Sequence, residues 1–194
     1  LPISDVVTLT GGTAAYASKN VGTGIAVSLT GSSLGGADAA NYSLASVTGT
    51  SADITQKDVT GAFTVDASKT YDGSTAANVV TRTISAGVVG SDVVSLTGGT
   101  AAYASKNVGT GIAVSLTGSS LGGADAANYS LASVTGTSAD ITQKDVTGAF
   151  TVDASKTYDG STAANVLTRT ISAGVVGSDV VTLTGGTAAD RKST

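Results

Sequence analysis

Two Tyr-Asp pairs, Tyr71-Asp72 and Tyr158-Asp159, are the polar groupings best suited to ligand contact. An aromatic face stacks on a sugar ring while the neighbouring carboxylate accepts hydrogen bonds from its hydroxyls. Each pair is followed by glycine, and Asp-Gly is also a tight-turn dipeptide, so the plainer reading is a turn anchored by its tyrosine. Asp38 and Asp125 stand in the segment GGADAAN, where a carboxylate and nearby carbonyls suit Ca²⁺. One Asp per loop is few for a tight site, and an Asp capping a short helical turn accounts for both positions. Asn41 and Asn128 open Asn-Tyr-Ser sequons, the pattern of an N-glycosylation acceptor. Read as a strand, the second of these places Tyr129 and Leu131 toward a core and leaves Asn128 and Ser130 to solvent. Gly109-Thr110-Gly111 has the glycines of a phosphate loop, but no Walker lysine and no strand-helix-strand context follow. It reads as a hairpin turn. Lysine with Asn or Asp can form an intramolecular isopeptide bond, but such sites depend on a buried Glu, and the chain has none.

The missing residue types exclude more than the present ones suggest. There is no His and no Cys, and all 14 acidic residues are Asp. A Ser-His-Asp triad, a thiolate nucleophile, a His/Cys zinc site and a disulfide framework are therefore impossible. The chain reads as a non-enzyme without cofactors. Gly, Ala, Ser and Thr fill 112 of its 194 residues, yet 41% of residues are hydrophobic and only 12% charged, a balance that favours folding over disorder. A net charge of −4, spread along the chain, offers no basic stripe for nucleic acid. No apolar run approaches the roughly 18 residues that span a bilayer, and no signal-like segment opens at Leu1, so the sequence reads as the interior of a mature chain that does not insert into membranes.

The chain repeats itself. SDVVTLTGG at Ser4 returns as SDVVSLTGG at Ser91 and as SDVVTLTGG at Ser178, a period of 87 residues. Over residues 5–189 only Thr8/Ser95/Thr182 and Val80/Leu167 differ between copies. The match fails at Leu1–Ile3 and at Asp190–Thr194, which are either natural array boundaries or additions to it. A period this long suits a small independent domain and is far too long for one solenoid rung. Near-verbatim copies multiply length or valency rather than chemistry.

Within one repeat the hydrophobic pattern has period two. Val59, Gly61, Phe63 and Val65 alternate with Thr60, Ala62 and Thr64, and Ile112, Val114 and Leu116 alternate with Ala113, Ser115 and Thr117. Further strands are expected at Asn78–Ile84, Asp92–Thr97, Thr100–Ser105, Asn128–Ala132 and Val134–Thr142, about seven in all. Gly123–Asn128 is enough for one helical turn. The expected fold is all-β: tandem small Ig-like β-sandwich domains of about 87 residues, or alternatively a β-grasp-like sheet with one short helix per repeat. Tyr16/Tyr103, Tyr42/Tyr129, Tyr71/Tyr158 and Phe63/Phe150 are the only aromatics and serve first as core material.

Three stretches in combination, KTYDGSTA (Lys69–Ala76), KNVGTGIAV (Lys106–Val114) and GADAANYSL followed by ADITQK (Gly123–Leu131, Ala139–Lys144), resemble the YDG repeat of large filamentous-haemagglutinin-like surface adhesins of Gram-negative bacteria. The resemblance covers nearly all of each 87-residue unit. It implies a bacterial, extracellular or cell-surface module exported by two-partner secretion, with no catalytic residue to carry over. The Pro that commonly follows the ADIT segment in that family is replaced here by Gln143-Lys144-Asp145, which puts the stiffness of the junction in question. The expected role is a structural stalk or spacer of an adhesin, supporting cell adhesion or biofilm. Alternatives are a multivalent weak carbohydrate- or protein-binding module and a self-associating extracellular filament. Expected partners are neighbouring repeats, other adhesin copies, and host or matrix glycans. Two phases fit the period. Residues 4–90 and 91–177 make two units followed by a partial third at 178–194, or residues 58–144 make one full unit flanked by partial units at 1–57 and 145–194. The first phase leaves only a short tail and is the preferred expectation.

Overall fold

Short β-branched and hydroxyl residues favour a pleated backbone, and nearly every ordered segment is a strand. The structure, a computed structural model, describes residues 4–189. The divergent ends, Leu1–Ile3 and Asp190–Thr194, lie outside the described residues. The first strands are β1 (Thr8–Tyr16), β2 (Gly22–Gly35) and β3 (Thr50–Ile54). Next come β4 (Lys57–Val65), β5 (Ser68–Thr70), β6 (Ala76–Ala77), β7 (Val79–Ala86), β8 (Ser95–Tyr103), β9 (Gly109–Gly122), β10 (Tyr129–Thr135) and β11 (Thr137–Thr142). The last are β12 (Thr147–Val152), β13 (Ala163–Ala164), β14 (Val166–Ala173) and β15 (Ala188–Ala189). They form sheets of order β1-β2-β3, β10-β4-β7 and β5-β11-β9-β8-β6, with two-stranded pairs β12-β14 and β13-β15. The fold is all-β and sandwich-like. Helical turns among the described residues are two three-residue 3-10 turns, Ala39–Asn41 and Ala126–Asn128, each too short to be the helix of a β-grasp sheet.

Two compact units divide the chain. One comprises the residues up to Ala62 with Thr83–Thr97 and Ser120–Val134. Its buried side chains are Val59, Leu96 and Tyr129, each 4% exposed or less. Gly61 is a close approach within this core: a Cβ placed there would stand 3.0 Å from Leu96 Cδ2 and 3.3 Å from Val134 Cγ2, so a larger residue fits only if those side chains shift. The other unit comprises Phe63–Arg82, Gly98–Ser119 and the residues from Thr135 onward. It buries Phe63, Ala101, Tyr103, Val114, Leu116, Ala139 and Ile141. The alternation read from sequence is present, with Val59 and Phe63 buried on one strand and Val114 and Leu116 on another.

Where expectation and structure differ, glycine is the reason. The two strands expected at Asp92–Thr97 and Thr100–Ser105 are one strand, β8. Its buried positions change parity between Leu96 and Ala101 because Gly98 and Gly99, at φ +65 and +84, insert a kink without ending the strand. Likewise Gly109-Thr110-Gly111 is not the hairpin turn. The chain reverses just before it, and these residues open β9, whose pairing with β11 slips in register between Ala139 and Ile141. Gly111, at φ +59, donates its N–H to Asp140 Oδ1 at 2.8 Å.

Candidate functional site

The KTYDGSTA loop is organised by its lysine. Lys69 leaves the short strand β5, and its Nζ donates to Asp72 Oδ1 (2.8 Å), to the carbonyls of Ser74 (2.8 Å) and Ala76 (3.1 Å), and to Ser74 Oγ (3.2 Å). The ammonium also lies 5.4 Å from the centre of the Tyr103 ring, within cation–π range. Asp72 completes the loop by accepting from the Ser74 N–H at 2.8 Å and the Ser74 hydroxyl at 2.9 Å. Hydrogen bonds from Lys69 and then Ser74 hold its carboxyl at about 2, well below the usual value of 3.8. The same loop recurs at Lys156, whose Nζ lies 2.9 Å from Asp159 Oδ1 and 2.8 Å from the Ser161 carbonyl, and Asp159 likewise sits at about 2.

Tyr71 reaches away from this loop. Its hydroxyl donates to Asp179 Oδ2 at 2.7 Å, 108 residues along the chain. That donation, ahead of partial burial, raises its pKa above the usual 10.0. Beside it Gly73, at φ +78, brings its backbone so near Val176 that a Cβ would stand 3.0 Å from Val176 Cγ1. Tyr71, Val108, Lys144, Val176 and Asp179 line one groove. One repeat earlier the equivalent groove is lined by Val21, Lys57, Val89 and Asp92 together with Asn128 and Tyr129. Here the Tyr129 hydroxyl donates to Asp92 Oδ2 at 2.7 Å and accepts from the Val89 N–H at 3.0 Å. Gln56 Nε2 donates to the Ala127 carbonyl at 3.1 Å, and the Ser130 hydroxyl donates to Asp58.

Compared with known families, residues 2–49 and 55–136 match the YDG domain. The chain belongs to the YDG domain family. No curated protein and no solved structure shows significant similarity to it.

The YDG motif is therefore the site to which the other candidate residues must be related. Of the tyrosine-aspartate pairs, the structure does not aim the two side chains at one point: Asp72 turns into its own loop and Tyr71 points to Asp179. Tyr158 is 94% exposed beside the inward-turned Asp159. Asp38 and Asp125 precede the 3-10 turns but make no side-chain cap, which corrects the capping expectation. Each carboxylate instead accepts a distant backbone N–H at 2.8 Å, Asp38 from Val6 and Asp125 from Val93. The Asp125 N–H donates in return to the Val93 carbonyl at 3.1 Å, so the pair clamps GGADAAN to the SDVV segment. Among the described residues no three acidic side chains cluster as a metal site would require. The two sequon asparagines differ. Asn41 is exposed, whereas Asn128 is half-buried, its Oδ1 accepting from the Val21 N–H at 2.9 Å and its Nδ2 donating to Asn20 Oδ1 at 3.3 Å.

Lys69 and Arg82 are the residues that sequence reasoning passed over. Arg82 donates from Nε to the Gly98 carbonyl at 2.6 Å and from Nη2 to the Gly99 carbonyl at 3.2 Å, satisfying two acceptors that the glycine kink turns out of the ladder. Arg169 does the same for Gly185 (2.6 Å) and Gly186 (3.0 Å). A lone Arg among threonines facing a Gly-Gly pair was the available signal.

Proposed function

We propose that the chain is a non-catalytic stalk or spacer segment of a bacterial surface or secreted adhesin, in which repeated YDG modules supply reach. The observation that carries this reading is that the polar groups fit to hold a ligand already hold the chain itself, and do so again 87 residues later. Asp72 and Asp159 are occupied by their own lysines and serines, and Asp38 and Asp125 by backbone N–H groups. A binding module keeps some of its polar groups unspent for its ligand. Adhesion and biofilm support, export by two-partner secretion and an extracellular location belong to the same reading and rest on the family resemblance.

Of the two phases, residues 58–144 are proposed as the repeat that carries a full set of buried side chains in each compact unit. Every fully buried hydrophobic side chain among the described residues, from Val59 to Ile141, falls within it. The joint that follows, Thr142–Val146, has neither Gly nor Pro, which suits a stiff connection. Small-angle X-ray scattering on chains of two and four repeats tests the stalk. A strand of about ten residues covers roughly 33 Å, so the maximum dimension is expected to grow linearly by roughly 30 to 45 Å per repeat. A particle whose length does not follow repeat number would overturn the reading.

A further inference from the structure

The Tyr-Asp-Gly triplet divides into one residue that faces inward and two that face the next repeat. We propose that the motif is a coupling device between successive repeats, whose partner is the Val176–Asp179 segment 105 to 108 residues beyond Tyr71. The proposal deepens the stalk reading and rests on it for its biological meaning. Asp72 is the inward residue: with Lys69 and Ser74 it sets the loop. Gly73, at φ +78, lets the loop lie against Val176, where a Cβ would crowd the valine methyl at 3.0 Å. Tyr71 then delivers a neutral hydroxyl to the carboxylate of Asp179, a charge-assisted hydrogen bond.

Two observations commit the occupant. First, the second copy of the loop is built the same way without a partner: the Lys156–Asp159 and Ser161–Asp159 bonds are within 0.1 Å of those at Lys69, yet Tyr158 stands 94% exposed. The internal hydrogen bonds of the loop are the same in both copies, and the tyrosine hydroxyl is bonded in the copy that has a Val176–Asp179 segment beside it. Second, the receiving Asp has a tyrosine from its own repeat as well. Asp92 accepts from Tyr129 and Asp5 from Tyr42, one position class, while Asp179 accepts from Tyr71. A carboxylate offers about four lone-pair sites. In an interior repeat this Asp therefore accepts both hydroxyls, one from the repeat before and one from its own, and becomes the shared pin of the joint.

The test is a double-mutant cycle in the full 194-residue chain, reading amide hydrogen exchange at Val175–Asp179. Tyr71→Phe and Asp179→Asn are each expected to speed exchange about five- to tenfold, the loss of one charge-assisted bond, and together no more than either alone. Tyr158→Phe is expected to change nothing in this chain and to act like Tyr71→Phe once one further repeat is appended. No effect of Tyr71→Phe, or additive effects in the cycle, would overturn the coupling. So would loss of binding on a glycan array upon Tyr158→Phe, which would assign the tyrosine to a ligand. Scattering separates the two levels: length that still grows linearly while the cycle shows no coupling leaves the stalk standing and removes only the joint.

Discussion

Phe63 and Phe150 lie in the same sequence, GAFTVDASKTYDG, yet differ in burial: the first is 4% exposed and the second 61%. The contrast holds across the central copy and its flanks. Tyr129 is 4% exposed against 50% for Tyr42, and Tyr103 is 4% against 46% for Tyr16. The local pairing is nevertheless kept, since β12 and β14 are hydrogen-bonded neighbours as β4 and β7 are. What differs is which strands the chain supplies around them. Residues 58–144 bring both a three-stranded and a five-stranded sheet, whereas the strands before and after bring only part of that set. In this chain burial follows the strands that surround a segment and not the segment's own sequence.

The sharpest way to break that comparison is to truncate the same side chain in two places. Phe63→Ala is expected to cost about 3–5 kcal/mol, enough to unfold a module of ordinary marginal stability, while Phe150→Ala costs less than about 0.5 kcal/mol. Urea denaturation of the two variants decides it, and equal losses would show that the flanking copy has its own core. A smaller contrast is expected at glycine. Gly61→Val drives methyls into Leu96 and Val134 and should destabilise by about 1–3 kcal/mol. At Gly148 the neighbours within reach all belong to one flexible side chain, Leu183, so Gly148→Val should be near neutral in the same assay.

The smallest expected effect is one on which the copies agree. Asp72 and Asp159 both sit at about 2, below the unperturbed 3.8, so what their loops gain from ionisation is complete above about pH 4 and is lost as pH falls through about 2. Tyr129 runs the other way. Burial and then its bond to Asp92 raise its pKa above 10.0, so its contribution is complete below pH 10 and fades as pH rises through the raised value. Amide shifts of Ser74 and Ser161 followed by NMR in acid should move together. An Asp159 loop that titrates near 3.8 while Asp72 stays low would show that the loop is not self-contained.

Much of the fold was legible because alternation survives translation into strands, as at Val59–Phe63 and Val114–Leu116. It failed at Gly98-Gly99, since a kink that reverses the facing of side chains looks, in one dimension, like the end of a strand. The site was less legible. Asp125 was correctly placed before a helical turn, but a carboxylate reaching 32 residues back to Val93 leaves no local trace. Lys69 was hidden by its type, because a lysine among Ser and Thr ordinarily faces water. The Tyr71–Asp179 bond spans more than one full repeat, and no window shorter than the repeat contains both ends.

The carbonyls that hold Lys69, Arg82, Lys156 and Arg169 bear on how the chain is digested. Proteases that cut after basic residues must draw the side chain out into a deep pocket and straighten the backbone beside it. The chain offers only ten such residues, and these four have their cationic groups fastened to main-chain oxygens of the next turn or kink. Cutting at any of them requires the loop or the Gly-Gly kink to open first, so a sequence poor in cleavage points is made poorer still by its own fold.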